Sequence, residues 1–270
     1  CLFHNCKNLE EAKIDTPLYT VSWPSSSVGS WSYTLKPEGK PIEIKLPVFE
    51  IDGKQTPAIL SELINVKEPF VLRNGAKEYI YEGAFQADTT IHLQVKFRIA
   101  ENNPIVRFSY SLKTSGGQKL TKNTGTDNLT YLSFSMKEFP ETKEIRLSVF
   151  NEMIHSCNLE ESKIFESDFT NSAKAVGPIM LGNDGQNTIL CAYEHDSMYP
   201  NSFLEYQFTP DKQTELKAKK GNYFSGQAAN GYSTIWFEIA GVAGNEDAMA
   251  EQFRTFMLKY QSENMSSRKP

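Results

Sequence analysis

Residues 90–117 read TIHLQVKFRIAENNPIVRFSYSLKTSGG. Ile91, Leu93, Val95, Phe97 and Ile99 alternate with His92, Gln94, Lys96 and Arg98, the period of two that sends one set of side chains to a core and the other to water. After the turn-forming ENNP the pattern resumes, with Val106, Phe108, Tyr110 and Leu112 set against Arg107, Ser109, Ser111 and Lys113, until TSGG breaks it. Two strands joined by a short turn predict an antiparallel hairpin. His92 falls in the outward register and reads as a solvated strand residue, not a catalytic one.

Similar short runs recur along the chain: PIEIKLPVFEIDG, EYIYEGAF, LTYLSFSM, EIRLSVF, TILCAYEH, FLEYQF, TELKAKKG and STIWFEIAGV. Gly, Pro, Asn or Asp bound them, and helical periodicity is scarce. The expectation is an all-β fold, a large antiparallel β-sandwich of two broad sheets. No linker, repeat or charge block divides residues 1–270, which read as a single domain. The character changes only at GNEDAMAEQFRTFMLKYQSEN. Asn245 stands where it can cap, Glu246 and Asp247 occupy the first turn, and Met249, Phe253, Phe256, Met257 and Tyr260 share one face. That spacing predicts a C-terminal amphipathic helix over Asn245 to Tyr260, with its Met and Phe stripe used for packing.

The composition is that of a globular chain: 39% hydrophobic and 23% charged residues over 270 positions, without an apolar run near the roughly 18–20 residues of a membrane-spanning helix. A net charge of -5 with lysines spread singly gives no basic stripe for a phosphate backbone, so nucleic acid is not an expected partner. Cys1, Cys6, Cys157 and Cys191 lack the pairing or the His/Cys spacing that holds zinc. No metal site and no cofactor are expected. The chain starts at Cys1, which fits a mature lipoprotein lipidated at that cysteine or a boundary that falls there. The first alternative predicts an exported protein, periplasmic or lipid-anchored through Cys1.

Nucleophile elbows, P-loops, HExxH helices and GxGxxG turns are absent from the sequence. The densest chemistry lies in LCAYEHDSMYPNSF, where Glu194, His195, Asp196 and Tyr199 follow one another closely. On a regular strand neighbours point to opposite faces, so Leu190 and Ala192 share one register with Glu194 while Cys191, Tyr193 and His195 share the other. The strand is expected to stop near His195, since DSMYPN supplies turn residues, leaving Asp196 and Tyr199 beside its end. Glu194 and His195 either position a wall against a neighbouring domain or subunit, or tie the loop to its own sheet. Tyr223, in GNYFSGQAANGY, could approach a sugar or a neighbouring domain, or merely connect strands. Trp23 and Trp31 flank PSSSVGS and either stack on pyranose rings or lie buried under the sandwich edge.

Three segments carry a family likeness: LCAYEHDSMYPNSFLEYQF, LKAKKGNYFSGQAANGYSTIWFEIAGV and AEQFRTFMLKYQSENMSSRKP. In order and spacing they resemble the end of the N-terminal domain of bacterial α-galactosidases of glycoside hydrolase family 36, the melibiase type. The resemblance implies the β-supersandwich that also occurs in galactose mutarotase, with the family's catalytic (β/α)8 barrel expected after Pro270. Retaining glycosidases use two carboxyl groups about 5 Å apart, which the family places in the barrel. The implied role is therefore a non-catalytic domain that supports the barrel, shapes the substrate entrance or takes part in a homo-oligomer, and no catalytic residue is assigned to this chain. The partners implied are the barrel of the same polypeptide and, through it, an α-galactoside. Two alternatives stand beside it: a free carbohydrate-binding module, and a mutarotase-like sugar epimerase using a His and a Glu on the sandwich face.

Overall fold

The computed structural model describes residues 12–122, 130–135, 143–153, 156–165, 173–175, 177–194, 204–208, 214–219 and 223–263. Within them the chain forms two antiparallel sheets and one helix. The first sheet opens with β1 (Ala12–Asp15), β2 (Tyr19–Trp23), β3 (Ser30–Leu35) and β4 (Pro41–Lys45), and a hairpin of β5 (Val48–Ile51) and β6 (Lys54–Pro57) branches from it. It continues through β11 (Thr130–Ser135), β18 (Thr214–Lys219), β17 (Leu204–Phe208) and β14 (Ala173–Ala175). The β5–β6 turn holds Asp52 and Gly53 at φ 49 and 77. Those two positive values make a tight primed hairpin turn, which explains the Asp-Gly pair.

The second sheet runs in the order β13 (Ser156–Phe165), β12 (Glu144–Met153), β15 (Ile179–Asn183), β16 (Asn187–Tyr193) and β19 (Phe237–Ala243). It then passes to β10 (Val106–Thr114), β9 (Ile91–Ile99), β8 (Lys77–Ala84) and β7 (Ile64–Val71). The predicted hairpin is β9–β10, paired antiparallel with Phe97 opposite Phe108 and Val95 opposite Tyr110. The inward residues of both strands are buried as their alternation requires. His92 lies in the partly exposed register, 3.2 Å from Glu82 through its Nδ1.

Between the sheets runs a continuous aromatic core. Trp31 meets Phe97 and Phe108 edge-on, at centroid separations of 5.1 and 4.9 Å. Trp23 meets Tyr81 at 4.5 Å in the same manner, and Phe108 stacks on Phe237 at 5.5 Å. Edge-to-face pairs of this kind add about 1 kcal/mol each beyond the area they bury. Both indole N–H groups are satisfied inside: Trp31 donates to the Tyr110 hydroxyl at 3.1 Å and Trp23 to the Leu63 carbonyl at 3.2 Å.

The helix α1 (Glu246–Lys259) begins where the sequence placed it, with the Asn245 side chain accepting from the Ala248 amide. It lies on the outer face of the second sheet. Met249 and Phe256 are buried with Leu190, Ala192, Ala240 and Val242, while Phe253 and Met257 pack at the margin. Glu246, in the first turn, pairs with Arg146 of β12 at 2.7 Å. The middle of this sheet is therefore covered on both faces. That is why β16 and β19 read as nearly unbroken apolar runs instead of alternating ones.

Candidate functional site

β16 ends at Tyr193, and its residues divide between the faces as the period of two demands. Cys191 and Tyr193 enter the core between the sheets; Leu190 and Ala192 enter the layer beneath the helix. Glu194, the next residue, keeps its place by donating its amide to the Trp236 carbonyl at 2.9 Å. His195, Asp196 and Tyr199 lie outside the described residues.

Glu194 opens onto a row of charged side chains that crosses four strands of the second sheet. Glu78 of β8 stands opposite Arg98 of β9, Arg98 opposite Arg107 of β10, and Arg107 opposite Glu238 of β19. Two arginines facing each other across a ladder repel unless something intervenes. Here each guanidinium also lies over the Trp236 ring, 4.5 Å away for Arg98 and 4.4 Å for Arg107, an attraction to the electron-rich ring face. Arg98 donates to Glu78 and pairs with Glu263, both at 2.7 Å. Arg107 grips Glu194 with two prongs, Nε to one oxygen and Nη2 to the other at 2.8 Å. A forked contact of this kind fixes carboxylate orientation as well as charge.

Glu238 is the exceptional member. It is only 3% exposed, and its Oε1 has no hydrogen-bond partner among the described residues. Burial pushes its carboxyl up to about 8, the adjacent Glu194 charge pushes the same way, and Arg107 offsets part of the rise. Glu194 lies two residues past Ala192, which stands opposite Glu238, and two carboxyl groups so placed form a hydrogen bond only when one of them carries a proton.

For the aromatic candidates the structure takes the buried of the two alternatives. Trp23 and Trp31 are 2% and 1% exposed, so neither can present a face to a sugar; their alternating strands, YTVSW and SWSYTL, carry them into the core. Tyr223 is also withdrawn. Its ring meets Tyr232 edge-on at 5.5 Å and its hydroxyl donates to the Thr121 carbonyl at 2.9 Å. The next residue, Phe224, is 74% exposed instead. Trp236 is half-buried within the charged row. Arg98, Arg107, Trp236 and Glu238 were not singled out in the sequence, although one signal was present: a lone Glu inside the apolar run IWFEIAGV.

A separate cleft of about 780 Å³ lies beside the first turns of α1, between Leu18, Leu35 and Pro37 on one side and Pro104, Val242 and Ala248 on the other. Lys36 on its rim is already bound to the Thr16 carbonyl at 2.6 Å and to Asp15 at 2.8 Å. Among the described residues, no group of three His, Cys, Asp or Glu side chains is placed to hold a metal ion.

The sequence matches no protein-family model, and no curated protein matches it. Solved structures do resemble it. The α-galactosidase from Lactobacillus brevis superposes with a TM-score of 0.63 at 9% identity, over 95% of this chain and 42% of that one. The GH36 α-galactosidase AgaB from Geobacillus stearothermophilus gives 0.59 at 9% identity, over 92% of this chain and again 42% of that one. The Slr1438 protein from Synechocystis sp. PCC 6803 gives 0.53 at 9% identity, over 90% of this chain and 99% of that one. At such identities the likeness is one of fold. The chain spans less than half the length of the α-galactosidases it resembles.

Proposed function

We propose that this chain works as the non-catalytic β domain of an α-galactosidase-like glycoside hydrolase, buttressing a catalytic barrel and shaping its surroundings. The observation that carries this reading is the extent of the likeness: nearly the whole of this chain corresponds to under half of each α-galactosidase. The candidate site agrees with it. Both oxygens of Glu194 are engaged by Arg107, which leaves that carboxylate a poor general base. Three of the aromatic side chains best suited to stacking on a sugar are spent in the core.

A second reading draws on the Synechocystis protein, in which this fold accounts for the entire chain. A neutral carboxyl beside a paired carboxylate is also an arrangement that proton-transfer sites use. On that reading the chain acts alone on a free sugar.

One experiment separates the two. The purified chain is offered an aryl α-galactoside, followed by colour release, and freshly dissolved α-galactose, followed by polarimetry. The first reading expects neither rate to exceed a protein-free control, and expects the natural polypeptide to lose soluble, active enzyme when residues 12–263 are deleted. Accelerated anomer exchange that vanishes in Glu194→Gln would replace it with the second reading. Aryl galactoside turnover abolished by changing an acid of this chain would overturn the division of labour.

A further inference from the structure

The outer face of the second sheet gathers two carboxyl groups around a single guanidinium. Arg107 spends Nε and Nη2 on Glu194, and Glu238 stands opposite Arg107 with Oε1 lacking a donor among the described residues. Among the described residues, the other groups near Glu238 do not supply the missing charge. From β16, Cys191 and Tyr193 point to the opposite face, into the core between the sheets, and burial there pushes their thiol and phenol upward, which keeps them neutral. Arg98, one strand beyond Arg107, is committed to Glu78 and Glu263. From the helix, Met249 and Phe256 pack with the neighbouring Ala192 and Ala240.

We propose that Glu194 and Glu238 hold one proton between them and that this proton latches the end of β16 to β19. With the proton in place, Glu238 donates to Glu194, and Arg107 balances the one remaining negative charge. When the proton leaves for solvent, two carboxylates compete for one guanidinium at a site where Glu238 and Arg107 are buried. Glu238 cannot retreat, because it sits within β19 between β10 and β16. Glu194 can: it is the first residue past β16, and its side chain is 23% exposed. As it swings outward, its amide lets go of the Trp236 carbonyl, and the end of β16 is released from its hold on the residue before β19. Acid and neutral conditions thus lock this strand end, and alkaline conditions free it. The latch does not depend on whether the domain serves a barrel or acts alone.

Trp236 provides the readout, since its ring lies 4.4 Å from the Arg107 guanidinium. Tryptophan emission of the folded chain is followed from about pH 5.5 to 9.5, with Trp236→Phe to assign the signal and circular dichroism to verify that the fold persists. The native chain is expected to show a Trp236 step on the alkaline side of neutrality. Glu238→Gln and Glu194→Gln, each of which removes one of the opposed charges, are expected to abolish it. Exchange of the Glu194 amide should accelerate about tenfold beyond the ordinary base-catalysed rise in the native chain and not in Glu238→Gln. A flat native profile, or a step of equal size in Glu238→Gln, would overturn the proposal. Should that variant fail to fold, carboxyl-carbon NMR of the native chain decides: Glu238 titrating in the ordinary glutamate range refutes the shared proton, and a shift well above that range supports it.

Discussion

Tyr19 and Tyr33 are stacked in the core with centroids 5.0 Å apart, both are fully buried, and removal of their hydroxyl groups should have opposite effects. The Tyr33 hydroxyl joins the two layers. It accepts the Gly241 amide at 3.0 Å and donates to the Pro104 carbonyl at 3.1 Å. β10 cannot take over that amide, because its pairing with β19 ends at Val106 opposite Ile239. Tyr33→Phe therefore loses two interlayer hydrogen bonds and strands a buried donor, for a cost of about 2–4 kcal/mol. The Tyr19 hydroxyl is buried with no partner among the described residues. Its removal keeps the stacked ring and deletes an unsatisfied polar atom, so Tyr19→Phe should be neutral or stabilising by about 1 kcal/mol. Urea unfolding followed by circular dichroism gives both values from the shift in midpoint. Equal losses in the two variants, or a larger loss in Tyr19→Phe, would refute the reasoning.

Phe256→Ala should cost about 3–4 kcal/mol, because Phe256 is a buried anchor of the helix on the sheet; limited proteolysis within Glu246–Lys259 should accelerate, and an unchanged cleavage rate would argue against that docking. Arg107→Met leaves Glu194 without its forked partner and should lower stability by about 3 kcal/mol, with much of the loss recovered when Glu194→Leu is added; a double variant no better than Arg107→Met would contradict the pairing energetics. Burial pushes the folded Glu238 carboxyl up to about 8, above the ordinary glutamate value of 4.5. Its protonated form thus gives stability that is full below about pH 4.5 and declines by about 1.4 kcal/mol per pH unit until the folded value is passed. Glu238→Gln should flatten that decline in thermal melts, and native and variant profiles running parallel between pH 5 and 8 would rule it out.

The period of two was easiest to read where one face of a strand meets the core and the other meets water, as in β9. It weakens wherever both faces are covered or both are bare. Arg107 and Ser109 look solvated by alternation, yet they are buried, because their side of β10 faces a charged row and its neighbours instead of open water. β7 shows the reverse. INVKEPFV lies at a sheet edge, exposed along almost its whole length and interrupted by two register shifts, so no alternation marks it. The helix was legible to its cap because its signals are local. The charged row was not. Arg98, Arg107, Trp236 and Glu238 come from separate parts of the chain, and only the strand order of the sheet brings them beside Glu194. The two buried tryptophans were ambiguous for a related reason: the Ser-rich turn between them suggests a surface, but the strands that carry them point inward.

The place of β19 has a consequence for how the molecule assembles. In the second sheet it is the strand between β16 and β10, so it divides two groups of neighbours, β7 to β10 on one side and β12, β13, β15 and β16 on the other, that make no ladder with each other among the described residues. Everything in both groups is synthesised before it. As the chain emerges, each group can pair internally, but the two have no shared strand until Phe237–Ala243 arrives, with the helix immediately behind. The last step must bring Val106 opposite Ile239 and seat Phe237 against Phe108. Contacts so distant in sequence form slowly. Until they form, the facing edges of β10 and β16 remain open for pairing with other chains, which makes late folding the stage at which this domain is most vulnerable to aggregation.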